Sequence, residues 1–135
     1  MKAFKKSKNI NEAIVIRPEL SLQQAIKAFG RIIIPDNGGY QCCMPEDILY
    51  VQSVGNYSEI YYSDGNKKLL ARTLKDIEKR LPHHSFFRIH RSYVVNAYHI
   101  KKVCMSIDAC CVHITGNHTL PISREKRKLL IYKGL

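Results

Sequence analysis

From Arg31 onward the apolar residues fall in short β-rich runs, each closed by a turn signal, the pattern of an antiparallel all-β arrangement. RIIIP, then Asp36-Asn37-Gly38-Gly39, then YQCCM reads as a hairpin. The run Ile48 to Val54 is broken by Gly55-Asn56 before YSEIYYS, and Asp64-Gly65 turns the chain into KKLLAR. Periodicity then changes: Thr73 opens TLKDIEKRLP, Asp76 stands where a capping box places its acid, Leu74, Ile77 and Leu81 share a face, and Pro82 ends a short helix. Two further strands, VCMSI and CCVHIT, precede the Gly116-Asn117 turn into HTLPIS. REKRKLLIY closes the chain as a basic helix, with Leu129, Leu130 and Tyr132 inward.

The run FFRIHRSYVVNAYHIKKV resists a regular reading. In one uninterrupted strand Arg91 shares a face with Phe87, Ile89, Tyr93 and Val95, which buries an unpaired cation at a prohibitive cost. Either the strand bulges near His90 to Ser92 or a loop lifts Arg91 into solvent. Ahead of the β-rich part, residues 1–9 read as a solvated basic arm. A helix is expected from Pro18 to Phe29, closed by Gly30, with Leu22, Ile26 and Phe29 as its apolar stripe. That stripe is expected to pack on the chain's own sheet ahead of mediating dimerisation or docking a partner. The chain thus divides into residues 1–30, arm plus amphipathic helix, and a mainly β (α+β) domain over residues 31–135.

Composition supports a packed core: 45% of the 135 residues are hydrophobic and 24% charged, unlike disordered chains. No apolar stretch approaches the ~18 residues of a membrane span, and the basic start lacks a signal peptide's apolar run. A soluble, cytoplasmic protein is the expectation. Five cysteines fit a reducing compartment better than a disulfide framework. Cys42-Cys43 and Cys110-Cys111 are adjacent pairs, whose members point to opposite faces of a strand, and no C-x-x-C or H-x-x-x-H spacing occurs, so neither a metal nor another cofactor is expected.

The net charge of +11 is unevenly spread. Residues 1–30 carry +4, residues 31–70 carry −2, and residues 71–135 carry +9. The excess is interleaved with the apolar residues of folded elements, which suggests a basic face and a phosphate backbone as its partner. Enzymatic chemistry has no foothold: there is no G-x-S-x-G elbow, no glycine-rich phosphate loop and no isolated carboxylate pair. Arg91, Arg124 and Asn56 instead stand at three junctions between elements, and arginine is the side chain shaped for bidentate contact with guanine. The alternative is that both arginines are ordinary surface residues in weak ion pairs.

EDILYVQSVGNYSEIYYSDG, ARTLKDIEKRLP, FFRIHRSYVVNAYHIKKV and LPISREKRKLL, in that order, resemble the LytTR family of bacterial DNA-binding domains over about residues 31–131. The resemblance implies an elongated arrangement of short antiparallel sheets, with a short helix after the central hairpin and a C-terminal helix. It also implies a transcription regulator that binds direct-repeat promoter sites on double-stranded DNA, placing loop side chains in successive major grooves. Carried over by position, the base-contacting places are Ser58, Arg91 and Arg124, while Asn56, Tyr57, His90, Ser123 and Lys126 touch phosphate or support the loops. Many relatives carry a receiver domain of about 120 residues, and the 30 residues before the β-rich part cannot hold one. The expected function is therefore a LytTR-type regulator without a receiver, acting as a homodimer on DNA or under a separate signalling partner docked on the N-terminal helix. The competing reading is a LytTR-fold interaction module that modulates a partner regulator.

Overall fold

A computed structural model describes residues 21–130, with side chains to residue 128. The basic arm, Pro18 and the inward packing expected of Leu129, Leu130 and Tyr132 lie outside the described residues. Helix α1 runs Leu22–Ala28 and is capped by Ser21, whose hydroxyl accepts the Gln24 N–H while the Gln24 side chain accepts the Ser21 N–H. Its expected stripe settles only in part: Ile26 is half-buried, whereas Leu22 and Phe29 are 78% and 82% exposed.

Among the described residues ten strands follow in three sheets: β1 (Ile32–Asp36), β2 (Gly39–Cys43), β3 (Ile48–Val54), β4 (Tyr57–Tyr62), β5 (Lys67–Leu70), β6 (Phe86–His90), β7 (Tyr93–Asn96), β8 (Ile100–Met105), β9 (Cys110–Ile114) and β10 (His118–Pro121). Helix α2 (Leu74–Arg80) lies between β5 and β6. The central sheet has the order β5-β4-β3-β7-β6, flanked by the β1-β2 hairpin and by a β10-β9-β8 sheet, and every pairing is antiparallel.

The central sheet is covered on both faces, which explains why residues 48–51 are all buried. One core joins Ile32, Ile34 and Cys43 of the hairpin to Leu74 and Ile77 of α2 over Ile48, Val51, Ile60 and Val94. The other joins Val112, Ile114 and Leu120 of the three-stranded sheet to Leu49, Tyr50, Ile89 and Val95. Leu49 and Tyr50 share the second core although they are neighbours, because the β3-β4 register shifts between Ile48 and Tyr50. Tyr50 fills this layer, stacked on Tyr61 with centroids 4.3 Å apart and with its hydroxyl 3.3 Å from His118 Nδ1. Burial raises the Tyr50 hydroxyl pKa, so it stays protonated.

The layers are fastened by buried polar groups. Asn96 is fully buried; its Nδ2 donates to the carbonyls of Pro45 and Ile48, both at 2.9 Å, and its Oδ1 accepts the Tyr98 N–H. His99 Nε2 lies 2.6 Å from the Glu46 carbonyl, which can only accept, so this nitrogen carries the proton. Neither latch is visible in the strand pattern.

Two terminal details depart from expectation. Thr73 caps α2 by accepting the Asp76 N–H, but the Asp76 carboxylate does not return to close a capping box; it accepts from Arg72 and Arg80, which hold it below the usual carboxylate range. Thr73→Ala is expected to cost about 1 kcal/mol, read as a lowered urea midpoint at unchanged slope. The C-terminal segment is a 3-10 turn over Arg124–Leu130 in place of the expected α-helix. Its entry is set by Ser123, whose carbonyl takes the Lys126 N–H at 3.0 Å, the i to i+3 spacing of the tighter helix.

Candidate nucleic-acid interface

The irregularity in FFRIHRSYVVN is real and has both expected components. The β6-β7 register shifts between Arg88 and His90, and a two-residue turn, Arg91-Ser92, joins the strands. The shift lets Ile89 enter the second core while His90 pairs with Tyr93, so Arg91 leaves the strand at the turn and is exposed.

The turn is held from beneath by a residue that sequence reading did not single out. Arg88 donates from Nε to the His90 carbonyl at 2.9 Å and from Nη2 to the Arg91 carbonyl at 2.6 Å. Its Nη1 donates to Glu78 of α2 at 2.9 Å, which orients the guanidinium. His90 adds a further tie, its Nδ1 accepting the Ser92 N–H at 3.1 Å. Nothing local in the sequence marks Arg88, because its partner comes from a helix ten residues earlier. Arg88→Met is expected to cost about 1 to 2 kcal/mol of stability and to speed hydrogen exchange locally at residues 90–92. Unchanged protection there would remove the clamp.

Two other segments meet this turn. Ser53 N–H donates to the Ser92 carbonyl at 2.9 Å, extending the β3-β7 ladder and setting the β3-β4 tip, Gly55-Asn56, beside Arg91. Gly55 adopts φ +62°, the left-handed conformation that favours glycine at such a tip. Ser123 N–H donates to the Ile89 carbonyl at 2.8 Å, so the chain leaving β10 is stapled to β6 immediately before Arg124. Arg91, Arg124, Asn56, Tyr57 and Ser123 therefore gather at one end of the central sheet, with Tyr57 half exposed at the start of β4. Lys126 follows in the 3-10 turn, half-buried.

Among the described residues no side-chain hydrogen bond or ion pair engages Arg91, Arg124 or Lys126; the four ion pairs use Lys68, Arg72, Arg80 and Arg88. The cations of this edge are available to an outside anion, whereas Lys68, Arg72, Arg80 and Arg88 are each paired with an acid.

Ser58 does not join them. It is fully buried, and its hydroxyl donates to the Arg72 carbonyl at 2.8 Å, tying β4 to the start of the α2 connection. The expected base contact is corrected to an internal strut. Alternation along β4 is the reason: Ser58 and Ile60 are both buried, with half-exposed Glu59 between them.

Unpaired arginines on converging loops can contact a duplex, and the family can be read from comparison with known proteins. The profile of the LytTr DNA-binding domain matches residues 41–133. The chain belongs to the LytTR family. A LytTr DNA-binding domain from Bacillus cereus superposes with a TM-score of 0.64 at 21% identity, covering 76% of this chain and 98% of that one, and so shares the LytTR fold. The transcriptional regulatory protein NatR of Bacillus subtilis (strain 168) is 31% identical over 72 residues, which are 53% of this chain and 30% of NatR. The chain thus spans under a third of that relative's length. The LytTR domain is a DNA-binding fold, and no helix among the described residues is long and apolar enough to cross a membrane.

Proposed function

We propose that this LytTR protein is a transcription regulator that binds double-stranded DNA sequence-specifically, reading bases with Arg91 and Arg124. The observation that carries this reading is the stapling of three loops at one edge: Ser53 to Ser92 and Ser123 to Ile89 set two unpaired arginines on fixed backbone. Rigid presentation matters because a guanidinium reads guanine O6 and N7 only when its fork is correctly aimed. Asn56, Tyr57 and Lys126 would supply phosphate contacts, His90 and Ser123 would hold the loops, and Ser58 would act only through the backbone it supports. Adjacent copies on a direct repeat would raise the modest affinity of one small domain.

Selection from random duplex DNA with the full chain tests this. Enrichment of a repeated half-site is the expected result; binding at low salt with no enriched sequence would reduce the edge to a general phosphate binder. The exposed Leu22 and Phe29 of α1 favour a second role, docking of a signalling partner or a second copy. A complete absence of DNA binding would move the protein to the interaction-module reading.

A further inference from the structure

The β8-β9 register brings together residues that lie apart in sequence. Cys104 pairs directly with Cys111, and His113, two residues on, stands on the same face of β9 as Cys111. One donor atom from each of Cys104, Cys111 and His113 lies within 4.8 Å of the others. We infer that these three side chains bind one thiophilic d10 cation, Zn2+ or Cu+.

The chemistry of the set supports this. Two thiolates and an imidazole are soft and borderline donors that select such ions over magnesium or calcium. Bonds of about 2.3 Å to sulfur and 2.0 Å to nitrogen place donors roughly 3.5 to 4 Å apart, so modest side-chain rotation closes the site. The imidazole is already oriented: Thr119, directly opposite on β10, has Oγ1 3.1 Å from His113 Nδ1, leaving Nε2 for the metal. Cys104 and Cys111 are half-buried and His113 exposed, so an ion can enter and water can fill a fourth position on zinc. Cys110 points the other way into the second core, and Cys42 and Cys43 belong to the β1-β2 hairpin. The expectation of no metal site rests on spacing along the chain, which a cross-strand site does not obey.

The test is titration of the reduced full chain with Co2+, followed by competition with Zn2+, and in parallel retention of Cu+ against a chromogenic chelator. Equimolar Co2+ should give thiolate-to-metal charge-transfer absorption that Zn2+ bleaches; if the site prefers copper, Cu+ is retained and Zn2+ is the weaker competitor. Cys111→Ser and Cys104→Ser should each remove the charge-transfer band or weaken it severely, Thr119→Val should lower affinity about 10-fold, and Cys42→Ser should change nothing. All variants lie on partly exposed positions, and their circular dichroism and melting should match the parent. Neither a Co2+ band nor Cu+ retention in the unmodified protein, or signals that follow Cys42 in place of Cys111, would overturn the site.

Discussion

Arg91→Ala is expected to weaken binding to the selected DNA site by about 1 to 3 kcal/mol, the range of one bidentate arginine-base contact, while binding to random duplex changes little. The reason lies in the turn: Arg91 is exposed, and its side chain has no protein partner among the described residues, so its removal leaves the fold intact. Its backbone carbonyl stays held by Arg88. The variant should also tolerate substitution at one base position that the parent discriminates. Lys126→Ala provides the contrast, weakening specific and random duplex alike and reducing the salt slope by about 1. If Arg91→Ala lost the same free energy on both duplexes, Arg91 would be a phosphate contact and the base-reading assignment would fall.

Asn96→Ala is expected to lower global stability by about 3 kcal/mol, seen as a shift of the urea midpoint. Asn96 is wholly enclosed, and its amide makes three hydrogen bonds, two given to carbonyls before and within β3 and one taken from Tyr98. Truncation removes all three and leaves a small cavity, while water cannot reach the orphaned groups without opening the sheet. Asn96→Asp keeps the acceptor for Tyr98 but sets a carboxylate against two carbonyls, and should be at least as damaging. A cost below about 1 kcal/mol would mean that the surrounding backbone satisfies itself without Asn96.

These residues show where sequence reading succeeds and where it stops. Arg91 is legible because a cation among Phe87, Ile89, Tyr93 and Val95 contradicts a regular strand, and a contradiction in a period-two pattern locates a bulge or turn. Thr73 and Gly55 are legible because capping and left-handed turns are local chemistry. Ser58 misleads because its base-contacting place is carried over from the family by position, whereas alternation along β4 turns its side chain inward. Arg88 and Asn96 carry no signal, because their partners lie ten and about fifty residues away. The C-terminal segment is misread as an α-helix because the Ser123 carbonyl, which starts the tighter turn, belongs to a strap fixed on β6.

By itself the sequence determined the short antiparallel strands, the helix after β5 and the basic excess beyond residue 70, which follow from local periodicity, turn chemistry and composition; the likeness to the LytTR family lies in its ordered motifs. The tertiary structure alone decided which positively charged groups remain unpaired, which loops share an edge, and that Cys104, Cys111 and His113 are neighbours. Those properties depend on strand register and on backbone bonds between residues distant in the chain, such as Ser53 with Ser92 and Ser123 with Ile89. Residue spacing does not encode them, because the same local patterns are compatible with several registers until two buried cores select one.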